Sequence, residues 1–352
     1  MTNHIKKVLT IVGARPQFIK AAPISRALRE AGIKEILLHT GQHFDDAMSA
    51  QFFRELDIPS PDYHFAIHGL NHGAMTGRML EAIEEVLLKE KPDLMIVYGD
   101  TNSTLAGALA AAKLTVPVAH VEAGLRSFNR SMPEEINRVL VDHLSTLLFC
   151  PTQAAIAHLK AENITKAVFH VGDVLMDVSL IAAKRAAKES AILGRLALTP
   201  KSYSVCTLHR ADNTDDPIQL AELIGWLDAQ ASQIPMVLPL HPRTKHAIEK
   251  HNLKPHNIRM IEPLGYLDMT ALLQHAQRLY TDSGGLQKEA YFHRVPCVTL
   301  REETEWVETI EAGWNRLWRT DGYKPRHEID AYGDGEASVK IVQHIQEFLT
   351  AR

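Results

Sequence analysis

Arg278-Leu279-Tyr280-Thr281-Asp282-Ser283-Gly284-Gly285-Leu286-Gln287-Lys288-Glu289 runs from an apolar stretch through a glycine turn into a helical pattern that carries Ala290, Tyr291 and Phe292. Read as strand, turn and helix, it is one repeating unit of an α/β sheet protein. The same succession recurs on both sides. Apolar runs at 203–208, 235–240, 258–261, 278–281 and 297–300 form one series, and an earlier series lies at 8–12, 36–39, 94–98, 117–121, 146–150 and 167–171. They are apolar at nearly every position, not at alternate ones, which marks parallel strands covered on both faces. Between them the spacing is helical. Met75, Met79, Ile83, Val86 and Leu87 share a face, with Glu81, Glu84, Glu85 and Lys89 opposite. Alternating β and α throughout predicts a doubly wound α/β fold.

At 352 residues the chain exceeds what one hydrophobic core usually supports, so two domains are expected. The strand series restarts near Val171-Gly172-Asp173, after which two helical turns lead into a polar stretch ending at Lys201-Ser202. This predicts domains over 1–171 and 172–335, with a last helix within 336–352 available to pack back on the first. A formal net charge of -4, and no basic stripe with interleaved aromatics, argue against nucleic-acid binding. Cys150, Cys206 and Cys297 each sit in or beside an apolar run without CxxC spacing, as expected of buried thiols in a reducing compartment. The first residues lack the pattern of a signal peptide, and the run at 8–12 is too short to span a membrane. A cytoplasmic protein without a membrane partner is expected.

In open α/β sheets ligands lie beyond the C-terminal ends of the strands, so two facing sheets predict a site in the cleft between domains. The Ser283-Gly284-Gly285 turn leaves backbone N–H groups unpaired at a helix N-terminus, a geometry that suits a diphosphate, and Glu289 is within reach of a ribose. A plain strand-to-helix connection is the competing reading. Gly13-Ala14-Arg15-Pro16-Gln17 follows the first strand, with Lys20 beyond it; Arg15 is either a phosphate or carboxylate fork or a surface arginine beside a helix-starting proline. Asp100, after the strand at 94–98, is a helix cap or a functional acid, although Thr101, Asn102 and Ser103 are themselves good caps. Glu122 ends the strand at 117–121. Glu134 opens the next helix, where first-turn acids also favour the dipole. Carboxylates crowded in a partly desolvated cleft gain proton affinity, which general acid–base chemistry at neutral pH requires. His209-Arg210 and His241-Pro242-Arg243 each follow a strand and suit a diphosphate and a proton donor.

Several chemistries are missing from the pattern. No GxGxxG, GxxxxGK[ST] or GxSxG follows a strand, so tightly held NAD, ATP-driven work and serine hydrolysis lose ground. His64, His68 and His72 have helical ligand spacing, but Gly69 and Asn71 interrupt any helix there. Neither a metal nor a cofactor is predicted.

Gly13-Ala14-Arg15-Pro16, Thr40-Gly41-Gln42-His43, Gly99-Asp100-Thr101, His120-Val121-Glu122-Ala123-Gly124-Leu125-Arg126, Pro133-Glu134-Glu135-Ile136-Asn137-Arg138, His209-Arg210 and Asp282-Ser283-Gly284-Gly285 together resemble the bacterial non-hydrolysing UDP-N-acetylglucosamine 2-epimerases in order and spacing. The likeness runs from about residue 8 to the end. It implies two Rossmann-like domains in the glycosyltransferase B arrangement, a homodimer, and inversion at C2 of a UDP-linked amino sugar. It implies acid–base roles for Asp100, Glu122, Glu134 and His209. It implies nucleotide contacts for Arg15, His209, Ser283, Gly284 and Glu289, with the uracil near Pro263-Leu264-Gly265-Tyr266; Gln17, Lys20, Arg138, Arg210, His241, Tyr266 and Gly285 are further candidate substrate contacts.

Two departures bear on the sugar. The hexosamine enzymes read Arg-Pro-Glu at Arg15-Pro16-Gln17 and Thr-Glu-Arg-Pro-Glu at Thr304-Glu305-Trp306-Val307-Glu308. Gln17 removes a negative charge beside the expected cleft, which favours an added anion on the sugar. The pattern resembles the subgroup that epimerises UDP-2,3-diacetamido-2,3-dideoxyglucuronate for O-antigen polysaccharide. UDP-N-acetylglucosamine is the alternative substrate, and a glycosyltransferase of the same architecture or a nucleotide-sugar sensor are rival readings. The family's activator pocket retains Gln42 and His43, but Phe44-Asp45-Asp46 and the 68–72 segment depart from its usual polar pattern.

Overall fold

A computed structural model of the chain describes residues 5–42, 55 and 58–351. The chain divides into two compact units, one comprising Met1–Val178 with Asp330–Arg352 and the other Ser179–Ile329. The division falls inside the helix Val174–Glu189, some residues beyond the restart read at 171/172. That helix is much longer than the two turns expected, because it keeps a buried face of Val174, Leu175, Val178, Ala182 and Ala186 along its length.

The first unit is built on a parallel seven-stranded sheet. Its strands are β1 (Lys7–Val12), β2 (Lys34–His39), β3 (Tyr63–His64), β4 (Leu94–Tyr98), β5 (Val118–Val121), β6 (Leu147–Cys150) and β7 (Val168–His170), in the order β3-β2-β1-β4-β5-β6-β7. The second unit has β8 (Ser204–Thr207), β9 (Met236–Pro239), β10 (Ile258–Ile261), β11 (Arg278–Thr281), β12 (Cys297–Thr299) and β13 (Asn315–Leu317), in the order β10-β9-β8-β11-β12-β13. Each sheet therefore starts in the middle, winds outward one way and then the other. The reversal lies between β1 and β4 in one sheet and between β8 and β11 in the other. Crevices at such reversals are where α/β sheets hold ligands.

The central strands are buried at every residue of β4, β5 and β6, as expected of strands covered on both faces. Met79, Ile83, Val86 and Leu87 of the helix His72–Glu90 pack over β1, β2 and β4. Two short strands, β3 and β13, were not foreseen. Both sit at sheet edges and carry polar or half-exposed residues, so they lack the apolar run that identified the others. The last helix, Ala337–Thr350, belongs to the first unit. Asp177 accepts from Ala337 N, Ser338 N and Ser338 Oγ at 3.1, 2.7 and 2.7 Å, and Ile341, Val342, Ile345 and Leu349 are buried.

Candidate functional site

Site residues of the first unit stand at the sheet reversal, on turns leaving β1, β4 and β5. After β1 the helix Arg15–Glu30 begins, and its third residue, Gln17, is 2% exposed. Gln17 Oε1 accepts from Gly13 N and Ala14 N at 2.8 and 3.0 Å, while Nε2 donates to Tyr98 O and Thr104 Oγ1 at 2.8 and 2.9 Å. All four of its hydrogen-bonding positions are thus used within the protein. Gln17 is a clamp between the β1 and β4 turns, not a group presented to a ligand, which corrects its expected substrate role. The Arg15 side chain lies outside the described residues.

One turn further on, Lys20 ion-pairs with Glu122, both side chains mostly buried. Burial pulls the Lys20 pKa down, but Glu122, with smaller contributions from Asp173 and Asp100, more than offsets it and leaves the ammonium above its ordinary value. Glu122 has φ +73°, a left-handed conformation that costs a non-glycine residue roughly 1–3 kcal/mol. The turn is held there because Glu122 N and Ala123 N both donate to Phe149 O, at 3.1 and 3.0 Å. Gly99, φ +60°, leaves room for the Glu122 carboxylate. A side chain there would come within 3.3 Å of Glu122 Oε2.

Asp100 ion-pairs with Arg138 of the helix Pro133–Leu144. Burial raises its pKa, and Glu122 adds to this, against the lowering by Arg138 and Lys20; the net shift is upward. Asp100 is not the helix cap. Thr101 fills that position, its hydroxyl accepting from Thr104 N at 3.3 Å. Lys20, Glu122, Asp100 and Arg138 are therefore one linked set, two neighbouring carboxylates flanked by two cations. Glu134 and Glu135 separate completely. Glu135 is buried and accepts from Ser127 N, Ser127 Oγ and Phe128 N at 2.9, 3.0 and 2.9 Å, so it ties down the preceding loop. Glu134, on the same helical turn, is exposed and joins none of these contacts.

Beneath the two turns lies a buried pairing that the sequence reading passed over. His120 is 0% exposed; its Nδ1 is 2.7 Å from Asp142 Oδ1 and its Nε2 is 2.8 Å from Gly99 O. Asp142 also accepts from Gly124 N at 3.1 Å and Arg126 Nη1 at 2.6 Å. One connected set thereby fixes both the Gly99-Asp100 turn and the Glu122-Gly124 turn. Asp173, at the start of the helix Val174–Glu189, is a further addition. It lines a small cavity with Lys20, Glu122, Val121, Phe149 and Gly172.

In the second unit the corresponding turns follow β8 and β11. Asp282 is fully buried and accepts from His209 N and Arg210 N at 2.9 and 2.8 Å, while His209 Nδ1 lies 3.1 Å from its Oδ1. Burial alone would raise the Asp282 carboxyl, but His209 and these N–H groups outweigh it and hold it below the usual range. Asp282 was read only as part of a motif, yet it orients His209, whose ring lies 5.6 Å from that of His241. His241 itself caps the helix Pro242–Lys250, accepting from Arg243 N at 3.2 Å. Ser283 caps the helix Gly284–Phe292. Among the described residues, no atom beyond its chain neighbours and its own helix backbone lies within 4 Å of where a Gly285 Cβ would stand, so packing in this chain does not require glycine there. Glu289 is buried, with Tyr266 Oη 3.4 Å from its Oε2, which places Tyr266 and Glu289 together.

The model of the family described as UDP-N-acetylglucosamine 2-epimerase matches residues 26–346. The chain belongs to that family.

Among its members, the UDP-2,3-diacetamido-2,3-dideoxy-D-glucuronate 2-epimerase of Pseudomonas aeruginosa is 50% identical, over 96% of this chain and 99% of that one. A UDP-N-acetylglucosamine 2-epimerase of Methanocaldococcus jannaschii is 44% identical over 96% and 98%. A solved structure of the M. jannaschii enzyme in complex with UDP-GlcNAc and UDP has a TM-score of 0.85 at 41% identity, covering 97% of this chain and 99% of that one. A Streptomyces glycosyltransferase with a TM-score of 0.50 at 14% identity shares the fold alone. The fold is thus that of the epimerase family, two Rossmann-like units of the glycosyltransferase B kind, and the enzyme class is UDP-sugar 2-epimerase, an isomerase. Of the epimerase family's expected activator pocket, Gln42 accepts from Ser103 N and Oγ at 3.0 and 2.7 Å. His43 and Phe44-Asp45-Asp46 lie outside the described residues. His64 is in β3 and His72 opens a helix, so the three histidines do not share one helical face. Among the described residues, no helix is long and apolar enough to cross a membrane.

Proposed function

We propose that this epimerase inverts C2 of UDP-2,3-diacetamido-2,3-dideoxyglucuronate to its mannuronate epimer, in the cytoplasm, for O-antigen polysaccharide. The observation that carries the chemistry is the pair of neighbouring carboxylates Glu122 and Asp100, flanked by Lys20 and Arg138, at the sheet reversal. The C2 hydrogen has no neighbouring carbonyl to acidify it, so loss of the proton must be coupled to departure of UDP. A base takes the C2 proton as the C1–O bond to UDP breaks, leaving a C1=C2 double bond. A proton then returns to C2 from the opposite face, and UDP re-forms the bond at C1. No electrons are gained or lost. The route needs two proton carriers around the ring and charge stabilisation of the departing diphosphate.

Asp100 and Glu122 are suited to the first need. The raised pKa of Asp100 brings it nearer to neutral operation, and Lys20 orients the Glu122 carboxylate. Exposed Glu134 is a third carboxylate for the same task. His209, Arg210 and the Ser283-Gly284-Gly285 turn are suited to the second need, with Asp282 orienting the histidine. Tyr266 and Glu289 are assigned to the uridine. The 50% identity to the Pseudomonas aeruginosa enzyme and Trp306 in place of arginine support the uronate. Gln17 no longer does, since it faces the protein interior. Proton NMR in heavy water with both UDP-sugars tests the reading. Deuterium should enter C2 of the uronate without any acceptor, and preferential turnover of UDP-N-acetylglucosamine would reject the assignment of the sugar.

A homodimer is part of the same proposal. Ile136 and Leu140, one turn apart on the helix Pro133–Leu144, and Met132 just before it are exposed apolar side chains, a feature that marks association surfaces.

A further inference from the structure

Trp306 stands where the sequence departs from the hexosamine pattern, and its surroundings give the departure a chemistry. Its indole Nε1 is buried and has no hydrogen-bond partner among the described residues. An indole N–H is only a donor, so it awaits an acceptor. That nitrogen lies 3.4 Å from where a Cβ of Gly284 would be, at the start of the helix Gly284–Phe292. Behind the ring, Lys288 Nζ sits 3.9 Å from its centroid, and Lys288 is almost wholly buried. A cation on the face of an indole draws electron density from the ring and strengthens its N–H as a donor. The ring is fixed in place: Trp306 N donates to Thr304 Oγ1 at 3.1 Å, and that hydroxyl donates to Gln287 Oε1 at 2.6 Å. The Glu305 carboxylate approaches the same face of Gly284 as the indole; it is held by Arg301 at 2.7 Å and faces Arg210 at 4.0 Å, so its charge is matched within the protein.

We infer that the Trp306 indole N–H, backed by the Lys288 ammonium, donates a hydrogen bond to an anionic oxygen of the bound nucleotide sugar at the Gly284 turn. The inference rests on UDP being held at this turn. The acceptor is an oxygen either of the diphosphate or of the sugar carboxylate, and the two are separable.

Trp306→Phe keeps the ring and removes the donor; Trp306→His keeps a ring N–H. If the acceptor is phosphate, Trp306→Phe weakens binding of UDP alone by about 10- to 100-fold, as expected for a hydrogen bond to a charged group. If it is the sugar carboxylate, UDP affinity holds, and kcat/KM for the uronate falls about 10- to 100-fold relative to UDP-N-acetylglucosamine. Trp306→His retains most of either function, and Lys288→Met weakens it in the same direction. Should Trp306→Phe fail to fold, the wild-type indole 15N–H resonance carries the test: it must move downfield on adding UDP or the uronate. Unchanged UDP affinity with unchanged discrimination in Trp306→Phe, or an unmoved resonance, overturns the inference. Deuterium entry at C2 in the wild type is read separately. If it persists while Trp306 proves irrelevant, only this inference fails. If Trp306 governs UDP binding in an enzyme inert to both sugars, only the functional reading fails.

Discussion

Asp100 and Glu122 are acids with different surroundings, and substitution separates their roles from mere packing. Asp100→Asn and Glu122→Gln preserve shape but leave Arg138 or Lys20 without its carboxylate, so some loss of melting temperature is expected and activity is compared where circular dichroism shows each variant folded. Deuterium incorporation at C2 should fall by about 10²- to 10⁴-fold in each, the usual worth of a positioned proton carrier. Incorporation at the wild-type rate in both would remove the carboxylates from the mechanism. Asp282 behaves oppositely, as an ionised buried anchor whose folded pKa is depressed. Its contribution to stability is present above the unfolded aspartate pKa of about 3.9 and is lost as pH falls through the lower folded value. Asp282→Asn should cost the second unit about 2 kcal/mol near neutral pH and flatten that acid limb, as read by denaturant titration across pH. An acid limb identical to wild type would mean that this carboxylate is not the anchor.

At the level of elements, the two glycine turns make opposite demands on their glycines. A Cβ on Gly13 would run into the Ser103 and Thr40 hydroxyl groups, so Gly13→Ala should destabilise the first unit by about 1–3 kcal/mol. Around Gly285 a Cβ would meet no described atom beyond its chain neighbours and its own helix backbone. Gly285→Ala should therefore leave thermal unfolding within a degree or two, while calorimetry shows a large loss of UDP affinity. Retained affinity would remove the diphosphate from that turn. The helix Pro133–Leu144 shows how one element divides neighbouring acids: Glu135 turns inward to the 127–128 backbone and Glu134 outward. First-turn acids read alike in sequence, and only the packing of the preceding loop distinguishes them.

For the whole molecule, the chain leaves the first unit at Val178 and returns to it at Asp330. Deleting residues 337–352 would strip Asp177 of its three donors, remove the buried Ile341, Val342, Ile345 and Leu349, and uncover the helix Arg15–Glu30 against which they pack. Burial raises the Asp177 carboxyl even with those donors present, and the shortened chain would take those three hydrogen bonds from it. Loss of soluble expression, or a drop in melting temperature, is the expected outcome. Light scattering tests the association surface: wild type should run as a dimer and Leu140→Glu as a monomer. A wild-type monomer would contradict the proposal directly.

Strand–turn–helix alternation, the parallel sheets and the position of the motifs at strand ends were legible in the amino-acid sequence, because burial on both faces demands apolar runs and tight turns demand glycine and caps. The edge strands β3 and β13 were not, since half-exposed strands carry no such run. Nor was the inward direction of Gln17, the tie from His120 to Gly99 O, the anchoring of His209 by Asp282, or the Lys288–Trp306 stack. Each depends on a partner distant along the chain. The sequence by itself determined which residue types stand at the strand ends. Tertiary structure alone decided which of them face the protein and which are left open, because a side chain's hydrogen bonds are allotted only when remote segments meet.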